Sequence, residues 1–339
     1  MTAHASPIAR IAGALGRVLL DAIDVPMRAL QRLLGVPRIG WMFVAPNLVI
    51  LGLFTFLPIA IDFWFAFTGG VELYPTQRPY VGAENFATLF ECTNYLDPST
   101  CNRDLFWRAI YNTGEFAILQ VTLMVTFALV TALVLNRRIL GRGFWRGVFF
   151  YPVLLSPVVV ALIWKWVLQR EGLLNAMLAG AGATPVDWLI DPGWAFFWVI
   201  FVSIWAHMGF YTLILLAGLQ AIPPDLYEAA EMDAASPWRR FTRITLPLLM
   251  PNLIVVLVLG LIRAVQVFDE VFVLTGGGPG SATTFIVQFI YSTGFAEAIR
   301  QYGLAAAASL VLAVSLLVLT LLQLRVSGRL GMRERDERA

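Results

Sequence analysis

Long apolar stretches alternate with shorter polar ones along most of the chain. Each stretch is continuously apolar rather than alternately apolar and polar, which favours helices over membrane strands. Each is also long enough to cross a hydrocarbon core of ~30 Å as one helix. The pattern predicts an all-α membrane protein with six transmembrane helices, at about residues 41–67, 113–135, 147–168, 194–218, 248–267 and 303–324.

The composition agrees with this architecture. Of the 339 residues, 59% are hydrophobic and 14% are charged, whereas a soluble globular domain carries roughly 25% charged residues. The net charge of +2 does not provide the basic surface that nucleic-acid binding requires. The expected surroundings are therefore a lipid bilayer, and no nucleic-acid partner is expected.

Arginine is unevenly distributed among the segments that join the predicted helices. The N-terminal segment 1–40, the loops 136–147 and 219–247 and the tail 326–339 hold most of these arginines, and the alternate loops hold few. Cytoplasmic segments of membrane proteins carry the excess of Lys and Arg. Both termini and the loop 219–247 are therefore predicted to lie in the cytoplasm. The terminal segments 1–40 and 326–339 flank a six-span domain at 41–325, and the loop is part of that domain.

The N-terminal segment 1–40 has helical periodicity without a membrane-spanning length of apolar residues. Its charged residues from Arg10 to Arg32 fall on one helical stripe, with apolar residues between them. This is typical of an amphipathic helix on a membrane surface. Such a helix either orients the first span or packs against a partner subunit.

Two cysteines, Cys92 and Cys101, both lie in the loop 68–112, which the arginine distribution places outside the cytoplasm. In an oxidising compartment they can close a small disulfide loop. The alternative is two free thiols. No metal site is predicted, because ligand spacing for zinc is absent.

The loop 219–247 is longer than a simple connection requires. Asp225 and Glu228 have capping-box spacing for one helix, and Ser236 with Pro237 predicts the start of a second, which Pro247 is expected to close. The second helix carries an apolar stripe formed by Trp238, Phe241 and Ile244. The expected product is a helix pair with one apolar face, for docking a partner or for lying on the lipid surface.

The same loop carries a resemblance to a known family. Glu228, Ala229, Ala230, Asp233, Ala235, Phe241, Ile244 and Pro247 resemble, at matching spacing, the EAA motif of permease subunits of binding-protein-dependent ABC importers. We therefore call residues 219–247 the EAA loop. The family's glycine is replaced by Ala234. If this position needs a positive φ, alanine there costs ~1 kcal/mol or more.

A second stretch is similar to the carbohydrate-transporting members of that family, in particular to the larger permease of the maltose type. It runs from Phe268-Asp269 through Leu274-Thr275 to Gly276, Gly277, Gly278 and Pro279. Three glycines and a proline predict a pliable turn with exposed amides. The resemblance implies that this turn faces a solute-binding protein outside the cell.

The resemblance implies that this chain is a transport subunit and not an enzyme. The chain has no GxxxxGK[ST] motif, so no cofactor is expected on it, and a separate ATPase dimer is expected to use ATP and Mg²⁺. The other implied partners are a second permease subunit in a heterodimer, an extracytoplasmic solute-binding protein and a carbohydrate substrate. The implied location is a bacterial cytoplasmic (inner) membrane. The residues expected to couple to the ATPase are Glu228, Ala229, Ala230, Asp233, Ala234, Ala235, Phe241 and Pro247.

Sugars are bound by aromatic faces and hydrogen-bonding side chains, and ionisable groups within membrane spans mark functional sites. These criteria select a candidate substrate path of Trp164, Trp166, Tyr211, Asn252, Arg263, Gln266 and Asp269. Arg263 either lines the substrate path or a gate, or it has a structural role, in an ion pair with Asp269 or Glu270 or by snorkelling to the membrane surface. The alternative function is a self-contained secondary transporter or channel for a small polar solute.

Overall fold

The computed structural model describes Gln31 and residues 35–137 and 139–336. The chain forms two compact units, Met1–Asp62 and Phe63–Ala339. In the first unit, helix α1 (Val36–Leu51) continues through a wide turn at Gly52–Phe56 into α2 (Leu57–Ala66), which crosses the boundary between the units. Most of the predicted amphipathic segment 1–40 lies outside the described residues.

The second unit is also helical. It contains α3 (Glu84–Phe90), α4 (Asp104–Asn136), α5 (Arg142–Phe150), α6 (Pro157–Leu168), α7 (Leu173–Gly180), α8 (Pro192–Gln220), α9 (Pro224–Met232), α10 (Pro237–Arg240), α11 (Leu246–Val265), α12 (Asp269–Leu274), α13 (Ile286–Tyr291) and α14 (Tyr302–Asp336). No strand occurs within the described residues, which confirms the all-α prediction.

Five helices are long and apolar enough to cross a membrane, and one bent pair supplies the sixth span. The five are Val44–Ala66, Asp104–Asn136, Pro192–Gln220, Pro237–Val265 and Tyr302–Arg325. The sixth consists of Arg142–Leu154 and Pro157–Gly180, which meet at 101°. These spans, counted over the described residues, confirm the six-span architecture.

The third span differs from the uninterrupted helix predicted over 147–168. Leu155 and Ser156 have extended backbone (ψ 144° and 139°), which breaks the helix. The flanking prolines explain the break, because proline lacks an N–H and disfavours helical geometry in the residue before it. Pro152 and Pro157 thus turn one predicted span into two helices that meet at an angle.

Helices α4, α8 and α11 form the centre of the second unit. Their contact faces carry small or slender residues, including Ala128, Ala132 and Gly260, and Gly260 lies against Met124 of α4. Small residues let membrane helices approach closely, since lipid provides no hydrophobic force to press them together. A second apolar cluster, near the ends of α4, α13 and α14, includes Phe106, Phe289 and Leu304.

The segment that follows α2 is held by a buried arginine that the sequence pattern did not single out. The Nε of Arg78 donates to the Thr68 hydroxyl (2.9 Å), and one Nη donates to the Glu72 carbonyl (2.6 Å). Its guanidinium also lies over the Phe65 ring, 4.6 Å from the centroid. Burial lowers the pKa of Arg78. This buried cation has no carboxylate partner in the described ranges, and a hydroxyl, backbone carbonyls and an aromatic face satisfy it instead.

Candidate functional site

The first helix of the EAA loop is α9, which starts at Pro224 with Pro223 as its N-cap residue. Asp225 therefore lies inside the first turn and makes no capping hydrogen bond, so the predicted capping box with Glu228 is wrong. A proline at the first helical position needs no cap for its own nitrogen. Within the described part of the chain, the exposed Glu228 carboxylate makes no hydrogen bond or ion pair.

The turn after α9 places its residues in a defined capping geometry. Ala234 has φ 52°, and no other non-glycine residue in the described ranges has a positive φ. Its N–H donates to the Glu231 carbonyl (3.0 Å), and the Ala235 N–H donates to the Ala230 carbonyl (2.9 Å). This pair of bonds is the Schellman motif, in which the left-handed residue is usually glycine. The family's glycine therefore meets a real conformational need, and Ala234 fills that position under strain.

The second helix of the loop begins as predicted, with Ser236 accepting a hydrogen bond from the Arg239 N–H (3.3 Å). The prediction that Pro247 closes it is wrong. The backbone continues through a wide turn at Phe241–Thr245 into α11, so that Pro237–Val265 is one helix. A wide turn shifts the hydrogen-bond register and accommodates a proline without ending the helix. The EAA loop is thereby joined to the fifth span by a continuous helix.

A groove of about 610 Å³ lies beside this helix pair. The Tyr227 hydroxyl and the Thr245 hydroxyl are hydrogen-bonded (2.9 Å), which ties α9 to the wide turn. Arg240 and Glu231 form an ion pair that also links the two helices. The lining residues are Leu133, Asn136, Arg137, Leu219, Tyr227, Pro237, Trp238, Arg240, Phe241 and Thr245. The groove can receive a protruding apolar element from a partner.

Farther along the same helix, Arg263 is hydrogen-bonded to the Nε2 of His207 on α8. The His207 Nδ1 lies 2.8 Å from the Ser203 carbonyl, an acceptor only. Nδ1 must therefore carry the proton, and Nε2 is free to accept from the guanidinium. The alternative expectation of an ion pair between Arg263 and Asp269 or Glu270 is wrong, since no such pair occurs within the described residues.

Two cavities meet at Arg263. One, of about 350 Å³, is lined by residues that include His207, Tyr211, Leu259 and Arg263. The other, of about 310 Å³, is lined by residues that include Leu259, Arg263, Gln266, Asp269 and Glu270. The structure thus brings together four of the predicted path residues: Tyr211, Arg263, Gln266 and Asp269. Donors, acceptors and an aromatic ring converge there, as a site for a hydroxyl-rich solute requires.

The other three predicted path residues lie elsewhere. Trp164 packs edge-on against Phe201 and Trp205, with ring centroids 5.1 and 5.6 Å away. Trp166 is exposed. Asn252 donates to the Ile214 carbonyl (3.3 Å), in a contact between α8 and α11. None of the three lines either cavity at Arg263.

The glycine-rich turn after α12 is held by two side-chain hydrogen bonds, and its pliability stays a prediction. Gly276 and Gly277 have φ 66° and 92°, which glycine adopts without strain. The buried Thr283 hydroxyl donates to the Gly278 carbonyl (2.7 Å), and the Thr284 hydroxyl donates to the Gly277 carbonyl (3.1 Å). Pro279 follows these glycines in the same turn. The two threonines thus tie Gly277 and Gly278 to the segment that follows the turn.

In the segment between α3 and α4, Cys92 and Cys101 are joined by a disulfide bond. The hydroxyl of Tyr111, on α4, donates to the carbonyl of Tyr95 inside the disulfide-closed loop. The loop is therefore tied to the span that follows it. No group of three or more His, Cys, Asp or Glu side chains within the described residues could hold a metal ion.

Comparison with known proteins is consistent with this architecture. Residues 124–331 match the family described as "Binding-protein-dependent transport system inner membrane component". The chain belongs to this family: it is a membrane-embedded permease subunit of an ABC importer, a transport component rather than an enzyme.

Three relatives illustrate the similarity. The trehalose/maltose transport system permease protein MalF of Thermococcus litoralis is 38% identical, over 85% of this chain and 93% of its own. The lactose transport system permease protein LacF of Rhizobium radiobacter is 32% identical, over 84% of this chain and 92% of its own. A chain of a bacterial alginate ABC transporter, solved in complex with an alginate pentasaccharide-bound periplasmic protein, superposes with a TM-score of 0.73 at 28% identity. The superposition covers 88% of this chain and 97% of that one.

Proposed function

We propose that this chain forms half of the translocation pathway of an ATP-driven importer for a sugar or sugar-like solute. A second permease subunit supplies the other half, in a heterodimer. A solute-binding protein delivers the substrate at the outer side, facing Gly276, Gly277, Gly278 and Pro279. A separate ATPase dimer, which uses ATP and Mg²⁺, docks at the EAA loop. Both termini lie in the cytoplasm.

The observation that carries this proposal is the continuous helix Pro237–Val265, which starts in the EAA loop and ends beside the cavities at Arg263. A helix of 29 residues is about 43 Å long at ~1.5 Å per residue. A movement of the loop when the ATPase closes is therefore carried to the cavities by one continuous helix. Such coupling requires that the ATPase hold the loop with different affinity in the two states.

The carbohydrate assignment rests on the relatives and on the residues at the cavities. The relatives are named for trehalose/maltose and lactose, and the solved structure is named for alginate. Tyr211, Gln266, Asp269 and Arg263 supply donors and acceptors that match sugar hydroxyls. Selectivity among sugars then depends on the spacing of these four side chains and on the binding protein.

Glu228 is the residue proposed for the polar contact with the ATPase. Since it forms no cap and no ion pair within the described residues, Glu228→Ala should leave the fold unchanged. The lost charge-assisted bond, worth ~1.5–3 kcal/mol, should lower sugar uptake and sugar-stimulated ATPase activity about tenfold or more. The measurement is both activities in proteoliposomes that contain the whole importer.

The matched control is Glu231→Ala, one helical turn's spacing away on the same short helix. It removes an equal charge but breaks only the ion pair with Arg240. That exposed pair contributes ~1 kcal/mol or less, so activity should change little. Unchanged uptake in Glu228→Ala, at normal membrane levels, would remove Glu228 from the coupling role.

A further inference from the structure

Helix α5 carries two arginines that have no acidic partner among the residues that the structure describes. Arg142 and Arg146 lie one turn apart, and both are half-buried against the end of α8. With its amide oxygen turned toward them, Gln220 accepts from one Nη of Arg146 (2.7 Å) and one of Arg142 (2.9 Å). The Nε atoms of both arginines are buried and unbonded within the described part of the chain. No carboxylate there lies within 4.0 Å of either guanidinium.

The local electrostatics leave this pair under-neutralised. Two like charges converge on one neutral amide, and the N-terminus of α5 adds partial positive charge. The C-terminus of α8, at Gln220, offers only about half a negative charge in return. A guanidinium at the edge of a membrane protein without a counter-charge favours an anion, and it binds phosphate oxygens in a fork.

An apolar groove of about 590 Å³ runs along the neighbouring face of α5. Gly143 and Gly147, each of which directly follows one of the two arginines, line this groove. A side chain added at either glycine would meet nothing within 4 Å, so the space above them is open. The groove is walled by Phe144, Val148, Tyr151, Pro152 and Trp205. Of these, Phe144 and Tyr151 are 68% and 61% exposed. The positive pair and the apolar groove therefore lie side by side.

We propose that α5 binds an anionic phospholipid, with its phosphate on Arg142 and Arg146 and an acyl chain along the Gly143–Gly147 groove. One amphipathic ligand accounts for both features. A free phosphate ion would leave the groove uncovered, and a zwitterionic lipid would bring no net negative charge to offset the two arginines. The arginine-rich loop 136–147 is expected on the cytoplasmic side, where basic pockets between spans recruit anionic headgroups.

The test measures lipid retention by the full-length chain. The chain is exchanged into equal parts phosphatidylglycerol and phosphatidylcholine in mild detergent, and retained lipids are counted by native mass spectrometry. R142Q/R146Q should lower phosphatidylglycerol retention at least about fivefold, since each lost fork removes charge-assisted bonds. G147L should lower it by filling the groove while keeping both charges. R108Q/R170Q removes two exposed arginines that pair with Asp104 and Asp187, and it should retain lipid as the parent does.

Equal phosphatidylglycerol retention by R142Q/R146Q and the parent would overturn the proposal. If that double variant does not fold, the G147L variant alone tests the proposal. Phosphatidylglycerol retention by G147L equal to that of the parent would then overturn the proposal. A second arm adds inorganic phosphate without lipid. Thermal stabilisation of the parent by phosphate as large as that by phosphatidylglycerol would show that the site takes a soluble anion, and would refute lipid binding.

Discussion

Replacing Ala234 with glycine should stabilise the turn between the two helices of the EAA loop. Ala234 occupies the left-handed position of a Schellman motif, with φ 52°. An L-residue with a Cβ pays ~1–2 kcal/mol there. Glycine removes that cost but loses ~0.5–1 kcal/mol through the greater freedom of the unfolded chain. The net effect of Ala234→Gly is a stabilisation of ~0.5–1 kcal/mol.

The most direct assay is hydrogen exchange of the Ala235 amide, which donates to the Ala230 carbonyl across this turn (2.9 Å). A stabilisation of ~0.5–1 kcal/mol slows exchange through local opening about two- to fivefold. The matched control is Ala235→Gly, one residue along, where φ is not positive and glycine should speed exchange of neighbouring amides. Equal or faster exchange in Ala234→Gly than in the parent would refute the strain argument.

Three further predictions concern the disulfide between α3 and α4, the start of α14 and the second EAA helix. Cys92→Ser with Cys101→Ser should lower the free energy of unfolding by roughly 2–3 kcal/mol, seen in denaturant titration, and reductant should reproduce the effect in the parent only. Gly303→Ala should lower thermal stability by about 1–3 kcal/mol, because the added Cβ would press on the Thr68 carbonyl; Gly180→Ala, which meets open space, is its control. Ser236→Ala should cost ~1 kcal/mol through loss of the N-cap, and Ser236→Asp should restore it.

The membrane architecture was predictable from the sequence because continuous apolar length determines which segments cross a bilayer. The residues at which helices begin and end were less predictable. The second span was expected at 113–135 but α4 begins at Asp104, since a helix can continue beyond the bilayer with polar residues such as Arg108. The bend in the third span had a sequence signal in Pro152 and Pro157, although its angle depends on packing against α8.

In the EAA loop, local sequence features predicted some of the structure but not all of it. Ser236 and Pro237 predicted the second helix start, and the family's glycine indicated the need for a positive φ at Ala234. Pro247 misled, because the wide turn that immediately precedes it accommodates the proline without ending the helix. The pairing of Arg263 with His207 joins residues 56 positions apart. Such a contact depends on the relative rotation of two helices, which no local pattern specifies.

The central claim is that this chain works as one permease half with a separate ATPase. It is tested most directly by affinity purification of the tagged chain from its own membranes in mild detergent, with the co-purifying proteins identified by mass. We expect to recover a second six-span permease and a P-loop ATPase, in a complex whose ATPase activity rises with a sugar-loaded binding protein. Recovery of this chain alone, as a stable homo-oligomer that transports a solute without ATP, would contradict it.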